Sequence, residues 1–272
     1  MAVRRRPARG APGRHFLRSS RLAADLVREA GVAAGDLVVD VGAGAGALTR
    51  ALANAGADVI ALELAPDLAA ELRRSLAANR RVSVVEVDVL EWEWPTRPFS
   101  VVANLPFASS GAILAHLLRA PRRAPSRADV IVQWDFASKQ TAVWPATLKS
   151  TYWRAWYDVT ITRRLAQTAF SPPPSVDAAV VRFDRRPQPL VPVEESERYW
   201  SFLSEAFRAP GPVRRALDAR LPSLQVKRLA PTLGFAPDAR ARDLDARQWA
   251  ALYAFATRPG AAPGSRPRQG RR

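Results

Sequence analysis

A polar side chain follows a hydrophobic run in the stretch VVANLPFASS, residues 101–110. Asn104 carries an amide oxygen that accepts hydrogen bonds, and the backbone carbonyl of Leu105 is a second acceptor beside it. Pro106 fixes its own φ angle and stiffens the turn, and Phe107 offers an aromatic face. Two acceptors could hold both hydrogens of an adenine amino group and draw electron density onto its nitrogen, as methylation there requires. A strand end with an Asx-type turn is the plainer interpretation of the same residues.

A glycine-rich loop, DVGAGAG at residues 40–46, lies upstream between a predicted strand and a predicted helix. Gly42, Gly44 and Gly46 lack Cβ atoms, so the backbone can approach a ligand closely, and helix-end N–H groups can meet an anion. The loop alone also fits a dinucleotide-binding fingerprint or a purely structural turn.

Glu63, at the end of a predicted strand, can accept hydrogen bonds from both hydroxyls of a ribose, which either a nicotinamide cofactor or S-adenosylmethionine requires. Three features favour S-adenosylmethionine: Asp40, Asp88 and the D-x-G-x-G-x-G form of the loop. Asp40 lies just before the glycines, close to where a methionine ammonium group would lie. Asp88 could accept a hydrogen bond from the adenine amine of the cofactor. Helix capping or turn chemistry is the structural alternative for Asp40 and Asp88.

Short apolar runs alternate with helical periodicity from residue 20 to residue 186. This order predicts an α/β fold with a mostly parallel, doubly wound, Rossmann-like sheet. A proline-rich linker follows, and three or four amphipathic segments after it predict a small helical domain. We expect a disordered basic tail at residues 1–13, a catalytic domain at 14–186, a helical RNA-docking domain at 187–258 and a second disordered basic tail at 259–272.

The 272-residue chain has a formal net charge of +16, and most of its basic residues are arginines. Such an excess is usually the footprint of a nucleic-acid partner, although a GC-rich genome also favours arginine. The chain has no cysteine and two histidines, so we expect no metal site. No signal peptide or membrane-spanning apolar run is evident, and we expect a soluble, cytoplasmic monomer without membrane contact.

Six segments of the chain resemble the Erm-type ribosomal RNA adenine-N6 methyltransferases, close relatives of the small-subunit dimethyladenosine transferases. The segments are, in order, GRHFLRSS, DVGAGAG, ALEL, VDVLEW, NLPF and FSPPPSVDAAVVRF. The resemblance covers residues 13–258 and implies a class I methyltransferase fold, S-adenosylmethionine as the cofactor and ribosomal RNA as the partner.

Further site residues come from the resemblance. It implies that the HFL segment, with His15 and Leu17, lies beside the methionine end of the cofactor. It also implies that Phe170 packs on the target base opposite Phe107, where the family usually has a tyrosine. We count Leu64 and Val89, the neighbours of Glu63 and Asp88, among the cofactor-binding candidates, and Asn104 as well.

The resemblance favours methylation of 23S over 16S ribosomal RNA. Residues 130–159 resemble the resistance enzymes of antibiotic producers, and the tyrosine-glycine element usual in the small-subunit enzymes is absent. The implied function is N6-methylation of one 23S adenine before full subunit assembly, with resistance to macrolides, lincosamides and streptogramin B. A 16S adenine dimethyltransferase and a non-catalytic nucleic-acid-binding relative stay open, although the intact glycine loop and NLPF motif argue against loss of catalysis.

Arginines in two segments are the candidates for binding RNA. One group follows the helix after the NLPF motif, and the other precedes Phe170. They are Arg122, Arg123, Arg127, Arg163 and Arg164. Their summed charge predicts RNA binding that weakens strongly with salt.

Overall fold

The computed structural model describes residues 15–258 of the chain. The basic tails expected at residues 1–13 and 259–272 lie outside the described residues. The chain groups into two compact units. Among the described residues, the first contains residues 15–139 together with Val159–Arg185, and the second contains Gln140–Asp158 and residues 186–258. One boundary therefore lies beside residue 186, and Gln140–Asp158 groups with the helical segment that follows it.

The described chain contains nine strands and ten α-helices. The strands are β1 Phe16–Leu17, β2 Leu37–Val41, β3 Asp58–Glu63, β4 Val82–Glu86, β5 Ser100–Asn104, β6 Arg127–Gln133, β7 Tyr157–Leu165, β8 Phe170–Ser171 and β9 Ala178–Arg185. The helices are α1 Ser20–Glu29, α2 Ala47–Asn54, α3 Pro66–Ser75, α4 Ser110–Leu117, α5 Trp134–Thr141, α6 Leu148–Arg154, α7 Ser196–Arg208, α8 Val213–Ala216, α9 Ser223–Leu233 and α10 Ala246–Ala256.

Seven strands form one sheet in the order β4-β3-β2-β5-β6-β9-β7. Strands β2 to β6 run parallel, and β9 is antiparallel to β6. The chain moves outward from β2 to β4 and then restarts at β5 on the other side of β2. Ligands bind beyond the carboxyl ends of the strands at such a reversal. The prediction of a doubly wound, mostly parallel sheet is confirmed.

Burial explains why these segments form strands. All five residues of β2 are buried, which is typical of a central parallel strand covered on both faces. Helix α1 begins where the Ser19 hydroxyl accepts a hydrogen bond from the Leu22 N–H, and it buries Ala23, Leu26 and Val27. These side chains join the core cluster that also contains Leu52 of α2.

A second, two-stranded sheet has no signal in the sequence. Strand β1 pairs antiparallel with β8, so that Phe16 lies opposite Ser171 and Leu17 opposite Phe170. The Arg18 N–H extends the pairing by donating to the Ala169 carbonyl at 2.9 Å. Two-residue strands are too short to show periodicity. The pairing ties the segment before α1 to the loop between β7 and β9.

The second unit has an aromatic core. The rings of Tyr152 and Trp156 lie 4.7 Å apart, and Tyr199 of α7 lies 5.1 Å from Tyr253 of α10. Trp249 is also fully buried. The Trp156 ring lies 5.9 Å from the Tyr199 ring, and this contact joins Gln140–Asp158 to the later helices. From His15 to Arg258, no helix is long and apolar enough to cross a membrane.

Candidate active site

A cleft of about 220 Å³ opens in the first unit at the carboxyl ends of β2, β3, β4 and β5. Each strand end contributes residues from a motif that the sequence analysis identified. The segment before α1 contributes His15 and Phe16, the first residue of β1. The predicted site residues that line the cleft are His15, Gly42, Gly44, Glu63, Leu64, Asp88, Val89, Asn104, Leu105, Pro106 and Phe107. Those outside its lining are Leu17, Asp40, Gly46, Phe170 and the five arginines.

The glycine loop packs too closely to admit side chains. Gly44 has a φ of 54°, and a Cβ atom there would lie 2.6 Å from Cε1 of Phe16. Its N–H donates a 2.8 Å hydrogen bond to Glu63 Oε2. Gly46, with a φ of 80°, lies at the start of α2, where a Cβ atom would meet Leu72. Gly44 therefore shapes the cleft, whereas Gly46 lets α2 pack on α3.

Glu63 is buried at the end of β3 and lines the cleft. Its two oxygens accept hydrogen bonds from the backbone N–H groups of Gly44 and Ala65, both at 2.8 Å. A carboxylate has about four acceptor positions, so each oxygen keeps capacity for a ligand hydroxyl. The next side chain, Leu64, is exposed and adds an apolar wall.

Asp88 lies two residues after the end of β4 and lines another side of the cleft. Its Oδ1 accepts a 2.9 Å hydrogen bond from the Leu90 N–H, which fixes the turn and leaves Oδ2 as a further acceptor. Val89 and the exposed Leu90 also line the cleft. A carboxylate edge beside apolar walls suits a purine with an exocyclic amine.

Asp40 lies behind the glycine loop, which differs from the expectation of a ligand contact. Its side chain is 1% exposed, and Oδ2 accepts a 2.6 Å hydrogen bond from the Thr49 hydroxyl. Burial raises the pKa of Asp40 to about 7, the Thr49 bond opposes the rise, and the Glu63 charge adds to it. Leu17 is likewise a core residue. Direct cofactor contacts of these two residues stay predictions.

Asn104 presents a free acceptor. Its Nδ2 donates a 2.7 Å hydrogen bond to the His15 carbonyl. A carbonyl only accepts, so this bond fixes the orientation of the amide. In the described chain Oδ1 is buried and has no hydrogen-bond partner. Buried acceptors without partners are uncommon, and this one lines a cleft, so a ligand donor is its natural partner.

The aromatic residues around Asn104 differ in accessibility. The Phe107 ring lies 5.4 Å from the His15 ring and 6.1 Å, edge-on, from the Phe170 ring. Phe170 is 0% exposed, so it supports Phe107 from the core instead of offering a second face. The His15 ring is held by a 2.8 Å contact between Nδ1 and the Pro172 carbonyl. Stacking of a base on Phe170 stays a prediction.

Three of the candidate RNA-binding arginines lie away from the cleft. Arg127 begins β6, and Arg122 and Arg123 precede it, so they lie at the amino edge of the parallel strands, opposite the cleft. Arg127 donates to Asp184 at 2.6 Å and to the Ala30 carbonyl at 2.9 Å. These bonds hold the end of α1 against the sheet. RNA binding by the three residues stays a prediction without support from their position.

The other two arginines lie on β7. Arg163 pairs with Glu29 of α1 at 2.7 Å, a second link to the end of that helix. Arg164 pairs with Asp177 at 2.8 Å and lies 4.5 Å from the centre of the Trp134 ring. Trp134 directly follows β6, so Arg164 lies at the carboxyl edge of that strand. Its role in RNA binding also stays a prediction.

Several residues at the site were not identified from the sequence, among them Phe16, Leu90 and Thr49. Phe16 packs on Gly44, Leu90 lines the cleft, and Thr49 binds Asp40. Phe16 belongs to the HFL segment, which could have indicated it. Thr49 lies nine residues after Asp40 on a helix, and no pattern in the sequence pairs a hydroxyl with a carboxylate at that separation.

The strand order, the glycine loop after β2 and the acids after β3 and β4 define a class I methyltransferase. The family model described as ribosomal RNA adenine dimethylase matches residues 7–258. The chain belongs to the ribosomal RNA adenine dimethylase family.

Similar proteins come from two branches. Mycinamicin-resistance protein MyrB of Micromonospora griseorubida is 34% identical over 227 residues, which cover 83% of this chain and 72% of MyrB. Ribosomal RNA small subunit methyltransferase A of Synechococcus sp. (strain JA-2-3B'a(2-13)) is 34% identical over 227 residues, covering 79% and 78%. The solved structure of 23S rRNA methyltransferase ErmE superposes with a TM-score of 0.76 at 28% identity and covers 88% of this chain and 98% of ErmE. The Erm-type resemblance is confirmed.

S-adenosylmethionine as the cofactor is confirmed by the family and the fold. The cleft residues fit it. The Glu63 and Asp88 carboxylates are acceptors suited to hydroxyls and an amine, Leu64 and Leu90 are apolar and exposed, and the loop at Gly44 leaves room for close approach.

Gly44→Ala should weaken S-adenosylmethionine binding about tenfold or more, because the new Cβ displaces Phe16 and the loop bonded to Glu63. Gly35→Ala is the matched control. Gly35 also has a positive φ, 85°, but a Cβ there meets nothing within 4 Å. It should cost about 1 kcal/mol of stability and leave cofactor affinity unchanged. Titration calorimetry and urea unfolding measure both, and equal cofactor affinities in the two variants would contradict the assignment.

Asp40→Asn should remove a pH dependence of stability. The folded pKa of about 7 exceeds the ordinary value of 3.8, so the folded state keeps a proton that the unfolded chain releases in that window. The free energy of unfolding of the wild type should fall relative to the variant as pH rises from about 4 to about 7, by at most about 1.4 kcal/mol per pH unit. Urea unfolding at several pH values measures the difference, and a constant difference would rule out the raised pKa.

Proposed function

We propose that the protein transfers a methyl group from S-adenosylmethionine to N6 of one adenine in 23S ribosomal RNA. The observation that carries the chemistry is Asn104. Its amide is oriented by the His15 carbonyl, and its Oδ1 is buried at the cleft without a partner among residues 15–258. An acceptor oriented in this way is what an amino-group substrate needs.

The NLPF residues activate and hold the substrate amine in this proposal. The lone pair of adenine N6 is delocalised into the ring, so the nitrogen is a poor nucleophile. Asn104 Oδ1 and the Leu105 carbonyl accept its two hydrogens and draw electron density onto nitrogen. Pro106 stiffens the turn, and Phe107 provides the face on which the base stacks. The methylated nitrogen is acidic enough to lose its proton to water, so no strong base is required.

Cofactor binding is assigned to the remaining cleft residues. When bound, S-adenosylmethionine supplies an electrophilic methyl group. Glu63 accepts hydrogen bonds from the ribose hydroxyls, and Asp88 accepts one from the adenine amine. Leu64 and Val89 provide apolar walls. The methionine end lies toward Gly42, Gly44 and His15, with Asp40, Leu17 and Gly46 supporting the loop from behind. Because paired bases are unreachable, the target adenine is looped out or flipped.

The choice of 23S ribosomal RNA rests on residues 130–159 and on similarity. MyrB is a resistance protein and ErmE a 23S methyltransferase. Methylation at the macrolide site would remove a drug hydrogen bond and add bulk, giving resistance to macrolides, lincosamides and streptogramin B. The protein would act as a monomer in the cytoplasm, before subunit assembly is complete. The second candidate is 16S adenine dimethylation, favoured by the small-subunit enzyme of Synechococcus at the same 34% identity as MyrB.

Labelled methyl transfer to protein-free 23S and 16S ribosomal RNA distinguishes the candidates. We expect label on 23S RNA alone, at one adenine, located by primer-extension stops. Label on 16S RNA would move the protein to the second candidate. Cofactor binding without label on either RNA would contradict both.

Asn104→Ala should abolish methyl transfer, because one of the two N6 acceptors is lost, and should leave S-adenosylmethionine affinity within about threefold. Asn54→Ala, at the exposed end of α2, is the matched control and should retain full activity. Single-turnover transfer and calorimetry measure the two properties. Substantial turnover by Asn104→Ala would refute the assigned role of the amide.

A further inference from the structure

A pocket of about 140 Å³ lies entirely within the second unit. Its walls come from the segment before α6, from α6, from the start of α10 and from the residue after β9. Arginines dominate its charged lining. We call it the arginine pocket and define it by Thr151, Arg154, Arg186 and Arg247, with Asp245 as the one acidic residue in its lining.

Arg154 is a half-buried cation in the arginine pocket. One terminal nitrogen donates to the Thr141 carbonyl at 2.7 Å, while Nε is buried without a hydrogen-bond partner in the described chain. Burial lowers the pKa of Arg154, Arg186 lowers it further, and Asp158 opposes them. Asp158 forms its 2.8 Å ion pair with Arg186, not with Arg154. The half-buried guanidinium therefore has unused donor capacity and an unfavourable charge environment, and an anion would relieve both.

Thr151 provides an independent observation. Its side chain is 1% exposed, and its hydroxyl has no hydrogen-bond partner within the described part of the chain. The threonine lines the same pocket as Arg154. A buried hydroxyl without a partner is unfavourable unless something in the pocket binds it. Asp245 does not supply that partner in the described structure; its Oδ1 accepts the Gln248 N–H at the start of α10.

An exposed aromatic side chain lies beside the arginine pocket in the sequence. Val143 belongs to the pocket lining, and the next residue, Trp144, is 57% exposed. Large exposed aromatic rings next to cationic groups are typical of surfaces on which nucleic-acid bases stack. Inorganic phosphate alone would not stack on the indole, whereas a nucleotide would stack its base on the indole and place its phosphate against the cations.

We propose that the arginine pocket binds a phosphate group of the RNA substrate and that Trp144 stacks on a neighbouring base. The inference rests on the proposed function only in taking RNA as the substrate, and it is independent of which ribosomal RNA is methylated. Arg154 and Thr151 contact the phosphate oxygens, Arg247 adds charge at the rim, and Arg186 holds the pocket through its bond to the Arg154 carbonyl.

The test compares RNA affinity and its salt dependence in full-length variants. Thr151→Val keeps the shape of the side chain, and Arg247→Ala and Trp144→Ala change exposed residues. Arg228→Ala, on the exposed face of α9 outside the pocket, is the control for charge. Urea unfolding verifies that each variant is folded.

We expect Thr151→Val/Arg247→Ala to raise the Kd for RNA about fivefold or more. The slope of log Kd against log salt concentration should also be lower than in the Arg228→Ala control, by about one, which corresponds to the loss of one phosphate contact. Trp144→Ala should raise the Kd about fivefold or more with the slope unchanged. S-adenosylmethionine affinity should stay constant in all variants.

The measurements are made on whichever ribosomal RNA accepts the methyl label, so a wrong choice of subunit does not affect the outcome. Identical Kd and salt slope in the pocket variant and the Arg228→Ala control would overturn the inference. Calorimetry with inorganic phosphate separates the two sources of the anion. Phosphate binding that the pocket variant loses, combined with unchanged RNA affinity, would assign the pocket to free phosphate and equally overturn it.

Discussion

The parallel pairing of β2 with β3 on one side and β5 on the other is the constraint on which the site depends. It places the carboxyl ends of these strands at one edge of the sheet, so the glycine loop, Glu63 and Asn104 meet although they are far apart in sequence. The strand order reverses at β2, which opens the crevice that these residues line. A register shift by one residue would turn these side chains to the other face.

The two-stranded sheet of β1 and β8 positions the side chain of Asn104, as the large sheet positions the other cleft residues. It holds the chain before α1 against the loop after β7, and the His15 carbonyl then orients the Asn104 amide. The free Oδ1 is therefore a consequence of tertiary pairing, because an isolated asparagine at a strand end can rotate its amide either way. The same segment places Phe16 on Gly44, so the two halves of the cleft share one support.

Part of the positive charge of the chain stabilises the fold. Arg127, Arg163 and Arg182 bind the Ala30 carbonyl, the Glu29 carboxylate and the Glu29 carbonyl, and so fix the C-terminal end of α1, where cations are favourable. Net charge therefore overstates the surface available to RNA. A cation with a buried, unpartnered nitrogen, such as Nε of Arg154, is more informative about a ligand than several paired arginines on the surface.

The sequence by itself determined the fold and most of the cleft. Buried parallel strands are nearly continuous apolar runs, and motifs at their ends must meet at one edge, so Gly44, Glu63, Asp88 and Asn104 could be placed in advance. Tertiary structure alone decided which of the candidate side chains line the cleft. Asp40 and Phe170 carry the right chemical groups but are buried by packing from segments far away in sequence. Pairing between distant segments also created the β1–β8 sheet and the arginine pocket, because neither has a local pattern of its own.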